Sequence, residues 1–333
     1  MPRLPSNELV AVVANAIRES GYDGQLSSPI GTNPRRFVVA TPTGSIAIYV
    51  YIWTLTFGGR VTLPNEYRIQ MTGVASPLPI PDPRATILIG YEPTRQLFAG
   101  FDLERHRTFT AGSPSVQIDV TEVQRAETDG LSFHRKDNNE IAIGIRPDMF
   151  MAYCLNATLL HRYGRDANVL RLLNQITQLQ QQPPEQEIEA LPTPRQRIVQ
   201  EVSRLSRLAS FRRQVLFAYG NRCAVTRVQL RLVDAAHILP VGATGSADHV
   251  RNGIALSPTY HRAFDAGLIY LDENHNMRMN ERQLQVLRGA NLAGGVNTFR
   301  APLERQIFLP PDPNQHPTGE FIRRGNRFRQ IVV

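Results

Sequence analysis

Residues 231–272 read RLVDAAHILPVGATGSADHVRNGIALSPTYHRAFDAGLIYLD. The stretch holds His237, His249 and His261, with aspartates close by and Asn252 midway. RLVDAAHILPV reads as a short strand ending at Pro240, and GATGSADHVRNG as a polar loop. IALS reads as a second short strand. PTYHRAFDAG starts with Pro258 after Ser257, a residue suited to capping a helix. The local order is therefore strand, loop, strand, helix.

On that helix His261 and Asp265 are four residues apart and share one face, so both can ligate one metal ion. His237, at the end of the first strand, can fold back against them. Asn252 can hold the loop through hydrogen bonds to backbone. Such an arrangement suits phosphodiester hydrolysis. A neutral imidazole takes a proton from water, and a divalent ion neutralises the scissile phosphate and stabilises the leaving oxygen. Arg262 or Arg251 would hold a flanking phosphate.

The segment resembles an HNH nuclease, the ββα-metal class. The resemblance rests on His237 in AAHILP, Asn252 in RNGIALS and His261 in YHRAFD. It extends to YGNRCAVT upstream and FDAGLIYLD downstream, from about Phe211 to Asp272. It implies that His237 is the general base and that Asn252 orients the catalytic loop. It also implies that His261 and Asp265 bind Mg²⁺ or Mn²⁺. Many members carry an acid or histidine just before the base, where this chain has Ala236. Asp234 is the expected substitute ligand, though alternation along a strand works against its reach. Cysteine pairs for a structural zinc are absent, so none is expected and Cys223 reads as a buried residue. His249, His275 and Asp248 read as structural, exposed or turn residues.

The surrounding chain fits a nucleic-acid enzyme. It has 333 residues with 42% apolar content, enough for two domains with their own cores. The formal net charge is +8, and residues 151–333 hold all of the excess. Of the 37 basic residues only Lys136 is lysine, and arginine forks suit phosphates and guanine edges. Genomic GC bias explains that preference equally well. No apolar run is long enough to suggest a membrane span. The N-terminus lacks a secretion pattern, and Cys154 and Cys223 form no disulfide framework, so a cytoplasmic location is expected.

The expected fold is α+β: a β-rich, barrel- or sandwich-like domain over residues 1–172, then a ββα-metal HNH domain. ELVAVVANAIRES has helical spacing, with Ser6 or Asn7 as caps. RFVVATPTGSIAIYVYIWTLTFGG reads as a hairpin turning at TPTGS. NEYRIQMTGV, ATILIGYEP, QLFAGFDL, SVQIDV and EIAIGI read as further strands, and RPDMFMAYCLNATLLHRY as a closing helix. The Gln/Pro/Glu-rich residues 173–196 read as a linker. Residues 197–333 then hold the nuclease, with a basic leading helix that includes Arg212 and Arg213.

The first domain is expected to choose the target. Arg35, Arg36, Arg60, Arg68, Arg105 and Arg107 would supply a basic face. The loop carrying Arg105, His106, Arg107, Ser113 and Ser115 is the first choice for DNA contact. Tyr49, Tyr51, Trp53 and Phe57 form an aromatic row, suited to base stacking but more often core. The layout resembles type II or modification-dependent HNH restriction endonucleases acting on double-stranded DNA, modified or not. Two copies would serve double-strand cleavage, so a homodimer is expected. The competing readings are a ligand-gated defence nuclease and a DNA-binding protein with a decayed HNH site.

Overall fold

The computed structural model describes residues 3–41, 44–110, 114–178 and 181–331. The turn expected at TPTGS falls partly outside them, and Ser113 falls wholly outside. The chain divides into two compact units, residues 1–206 and 207–333. No helix among the described residues is long and apolar enough to cross a membrane.

The first unit opens with α1 (Ser6–Glu19), which buries Leu9, Val13, Ala16 and Ile17 at helical spacing. Pro5, not Ser6 or Asn7, holds the cap position. Strands β1 (Gly24–Leu26), β2 (Arg35–Thr41) and β3 (Gly44–Thr54) pair antiparallel in sequence. The short β4 (Thr56–Phe57) and β5 (Glu66–Gln70) then lead to β6 (Thr86–Glu92), which lies parallel to β3. A parallel pair requires a crossover, and residues 55–85 supply it. β7 (Leu97–Phe101) pairs with β6, followed by the one-turn α2 (Leu103–His106), β8 (Ser115–Asp119) and α3 (Val120–Asp129). β9 (Leu131–Arg135) and β10 (Ile141–Ile145) complete a seven-stranded sheet of order β1-β2-β3-β6-β7-β10-β9. α4 (Phe150–Tyr163), α5 (Ala167–Gln178) and α6 (Glu185–Glu189) follow.

This sheet has two free edges, so the unit is not a closed barrel. It is sandwich-like instead. A second sheet, β4-β5-β8, sets Ile69, Val116 and Ile118 against Leu88, Ala99 and Phe101 of the first in one core. Gly90 permits the approach, since a Cβ there would lie 2.7 Å from the Ile69 and Leu55 side chains. β6, β7 and β10 are buried along their whole length. That accounts for their unbroken apolar runs, where a half-exposed strand would alternate. The sequence reading missed α3 and β9. Val120, Val123 and Ala126 of α3 have helical spacing and Leu131 and Phe133 of β9 alternate, so the signal was present but short.

The division at Ser206 and Arg207 lies inside α7 (Thr193–Ala218), the expected basic helix. Residues 173–196 were expected to be a linker; they hold the end of α5, all of α6 and the start of α7. The second unit continues with β11 (Asp234–His237), β12 (Gly253–Leu256) and α8 (Pro258–Asp265). β13 (Ile269–Leu271), β14 (Asn276–Met279), α9 (Glu281–Gly289), α10 (Val296–Arg300), β15 (Arg305–Gln306) and α11 (Gly319–Phe328) complete it. Phe211, Val215, Cys223, Ile254, Phe264, Ile269 and Ile322 share its core.

Candidate active site

β11 and β12 pair antiparallel, with Asp234 opposite Leu256 and His237 opposite Gly253. Side chains alternate along β11, so Ala235 and His237 share one face, and Asp234 and Ala236 the other. Ala235 and His237 line a cleft of about 430 Å³, together with Pro240, Val241, His261, Asp265, Phe328 and Arg329. Asp234 is not on this cleft; its carboxylate lies 3.4 Å from Arg212. The alternation that warned against Asp234 as a ligand thus describes its placement.

The His237 ring is held on two sides. Its Nε2 lies 3.0 Å from Asp248 Oδ1, and its face stacks on Phe211 with centroids 3.7 Å apart and planes 12° from parallel. A carboxylate at that distance accepts a hydrogen bond from the Nε2–H and leaves Nδ1 as the basic nitrogen. Burial lowers the His237 pKa from its ordinary value, and the hydrogen bond and charge of Asp248 work against that. The ring is therefore largely neutral near pH 7, the state a general base requires. Gly253 lets α7 come this close, because a Cβ there would lie 2.2 Å from the Val215 side chain and 3.1 Å from the Phe211 ring.

Asn252 is wholly buried and ties the intervening loop to the strand exit. Its Oδ1 accepts from the Leu239 N–H at 2.8 Å. Its Nδ2 donates to the carbonyls of Leu239 and Ala247 at 3.1 and 3.0 Å, and to Ser246 Oγ at 3.3 Å. Asp248 belongs to this loop, so the amide of Asn252 fixes the residue that meets His237. Ser257 occupies the cap position of α8, but its side chain makes no capping bond.

His261 Nε2 and Asp265 Oδ2 are 3.3 Å apart on one face of α8, and both line the cleft. An imidazole and a carboxylate so placed fit a divalent ion completed by water and phosphate oxygens, the usual manner for Mg²⁺. Among the described residues no cluster of three or more His, Cys, Asp or Glu suited to a metal occurs. An ion held there would have these two side chains as its donors on α8. Arg329 Nη2 lies 3.6 Å from Asp265 Oδ1.

The residues expected to contact DNA fall into two groups. Arg251, Arg262 and Arg213 are exposed on the second unit. Those on the first unit are engaged within it. Arg60 forks onto both carboxylate oxygens of Glu66 at 3.0 and 2.6 Å. Arg105 donates to the Asn138 carbonyl, His106 lies 2.8 Å from Glu140, and Arg107 donates to the Leu78 carbonyl. Arg35 is 2% exposed, bonded to Asn33 and Ile52, and so is no part of a basic face. Tyr51 is buried, with Trp53 stacked parallel to it and donating to the Thr72 carbonyl. Of the row, only Tyr51 is core; Tyr49 and Trp53 are half-buried and Phe57 is exposed.

Phe211, Asp248 and Arg329 were missed as site residues. Asp248 carried a signal, since it lies four positions before the loop-holding Asn252. Phe211 and Arg329 carried none, being 26 and 92 residues from His237 in sequence.

Two strands, a loop and a helix that gather His237, Asn252, His261 and Asp265 define the HNH class of nuclease domain. One family comparison agrees. Residues 223–272 match the model of the HNH endonuclease family, so the second unit carries an HNH endonuclease segment. Residues 46–154 of the first unit match a family described as methylase-associated X1. No curated protein matches the chain. Among solved structures, a modification dependent TagI restriction endonuclease aligns at 13% identity and a TM-score of 0.29. That alignment covers 86% of this chain and 82% of that one.

Proposed function

We propose that this chain is a DNA endonuclease of the restriction type, whose first unit selects the target and whose second unit hydrolyses the phosphodiester. The observation that carries the reading is the joint placement of His237, held by Asp248, and the His261–Asp265 pair on one cleft. His237 Nδ1 removes a proton from the attacking water. Asp248 keeps Nε2 protonated and stabilises the imidazolium that forms. Asn252 holds the loop that presents Asp248. His261 and Asp265 would hold a divalent ion, Mg²⁺ or Mn²⁺, which when bound supplies positive charge to the phosphate and the leaving oxygen. The exposed Arg251 and Arg262 contact flanking phosphates.

The description of the family matched by the first unit, methylase-associated, supports a role in restriction against foreign DNA. Double-stranded DNA is the substrate, and two copies cut its two strands. The test uses purified chain and a His237→Ala variant with Mg²⁺ or Mn²⁺ on matched plasmids: unmodified, cytosine-methylated and phosphorothioated. Cleavage of one modified plasmid by wild type alone upholds both nuclease and reader. Cleavage of all plasmids at fixed sites keeps the nuclease and replaces the reader of marks by a reader of sequence. Failure to cut under either metal overturns the reading in favour of a decayed or ligand-gated site.

A further inference from the structure

The last helix closes the cleft from outside the segment that matches the nuclease family. Arg329 follows α11 directly, and its side chain is 4% exposed although it lines the cleft. Its guanidinium makes four kinds of contact. Nη2 donates to the His237 carbonyl at 3.2 Å and lies 3.6 Å from Asp265 Oδ1. Nη1 donates to the Ile238 carbonyl and to the Gly325 carbonyl of its own helix. The plane sits over the Phe264 ring, 4.4 Å from its centroid. One planar group thus touches the strand that carries the base and the helix that carries the His261–Asp265 pair.

A second observation points the same way. α11 approaches the end of β11 so closely that a Cβ on Gly325 would lie 2.3 Å from the Ile238 carbonyl oxygen. Any side chain there would push the helix off the strand exit. The helix also buries Ile322 in the core and donates from Asn326 Nδ2 to the Leu271 carbonyl at 2.9 Å. Its position is fixed from both ends.

We propose that Arg329 is a positioning residue that sets His237 against the His261–Asp265 pair, making α11 part of the active site. The proposal rests on the nuclease reading above. Only a forked, planar cation can bond two strand carbonyls, meet a carboxylate and lie flat on a ring at once; a lysine offers a single point charge. Misplacing a reacting group by about 1 Å costs on the order of a hundredfold in rate. The role is thus worth far more than a surface ion pair.

The experiment compares wild type with Arg329→Gln, Arg329→Lys and Arg327→Gln, the last an exposed neighbour. It reads plasmid-nicking kcat and KM with Mn²⁺, the melting temperature, and the ring signals of selectively labelled histidines. The expected result for Arg329→Gln is kcat lower by about 30- to 100-fold, KM within about twofold of wild type, and displaced His237 and His261 signals. Arg329→Lys recovers part of kcat, and Arg327→Gln matches wild type throughout. Unchanged kcat and unmoved signals in Arg329→Gln overturn the proposal. So does a loss of activity that follows the fall in melting temperature alone, with both signals in place. Should Arg329→Gln not fold, Arg329→Lys decides: full wild-type kcat overturns the role, and a reduced kcat at native KM upholds it. If wild type cuts no DNA, the nuclease reading fails separately. The histidine signals then still decide whether Arg329 sets the two rings.

Discussion

In the first unit His161 uses both ring nitrogens inside the fold, with Nε2 2.9 Å from the Tyr153 hydroxyl and Nδ1 2.7 Å from the Ile141 carbonyl. Nearby, Glu140 is 1% exposed and meets both His106 and Lys136, while Asp102 meets Arg105 and Arg165. In the second unit His237 meets Asp248 through Nε2, and its ring lines a cleft, where the proposed function needs the other nitrogen. The residue types are the same in the two regions. The difference is whether packing completes every hydrogen bond or leaves one group unpaired beside open space. A satisfied cluster stabilises a fold; one with a spare basic nitrogen can take a proton from water.

The largest effect expected from this contrast is on catalysis. His237→Ala should lower plasmid cleavage by about a thousandfold. His161→Gln should leave cleavage per folded molecule unchanged and cost about 2 to 3 kcal/mol of stability, through the loss of two buried hydrogen bonds. Cleavage rates and urea unfolding of both variants test it; equal losses of cleavage in the two would erase the distinction. Next is the loop anchor. Asn252→Ala leaves the Leu239 N–H and carbonyl without the amide, and should destabilise the second unit by about 3 kcal/mol, read from denaturant midpoints.

A smaller effect isolates the carboxylate beside the base. Asp248 raises the His237 pKa, so Asp248→Asn lowers it. The acid limb of the kcat profile should move to lower pH while the plateau falls by about tenfold. A fall with an unmoved limb would mean that Asp248 only holds the loop. The smallest effect is on the first unit's melting temperature in acid. Burial takes His161 down to about 4, so its neutral form stabilises the fold fully above 6.5, and this is lost as pH drops from 6.5 towards 4. His106 and Lys136 outweigh burial and hold Glu140 at about 2, so its contribution is full above 4.5 and is lost as pH drops from 4.5 towards 2. Melting curves should therefore decline in two stages on acidification. A flat melting temperature from pH 7 to 4 would remove the His161 stage.

Much of the second unit's local structure was legible beforehand. β12 and α8 fall where the turn residues and the Ser257–Pro258 start placed them, while β11 ends at His237, short of the expected end at Pro240. His261 and Asp265 share a face because any helix puts residues four apart together. The first unit was legible as strands but not as an architecture. Its parallel β3–β6 pair and covered sheet centre depend on residues far apart in sequence. The basic residues chosen for DNA contact at 105–107 read as free, because nothing local records that Glu140 or the carbonyls of Leu78 and Asn138 lie within reach.

The succession of short elements in the HNH segment, and the order of His237, Asn252, His261 and Asp265 along it, are written in local residue patterns. Backbone sterics set periods of 2 and 3.6 residues regardless of distant packing. Which charges are satisfied depends on how distant elements pack. That packing brought Phe211 onto the face of His237, turned Asp234 away from the cleft, and carried Arg329 from the end of the chain to His237 and Asp265. A hydrogen bond or a stacked ring is short-ranged in space and indifferent to separation along the chain. Its partner is therefore chosen by how the elements pack.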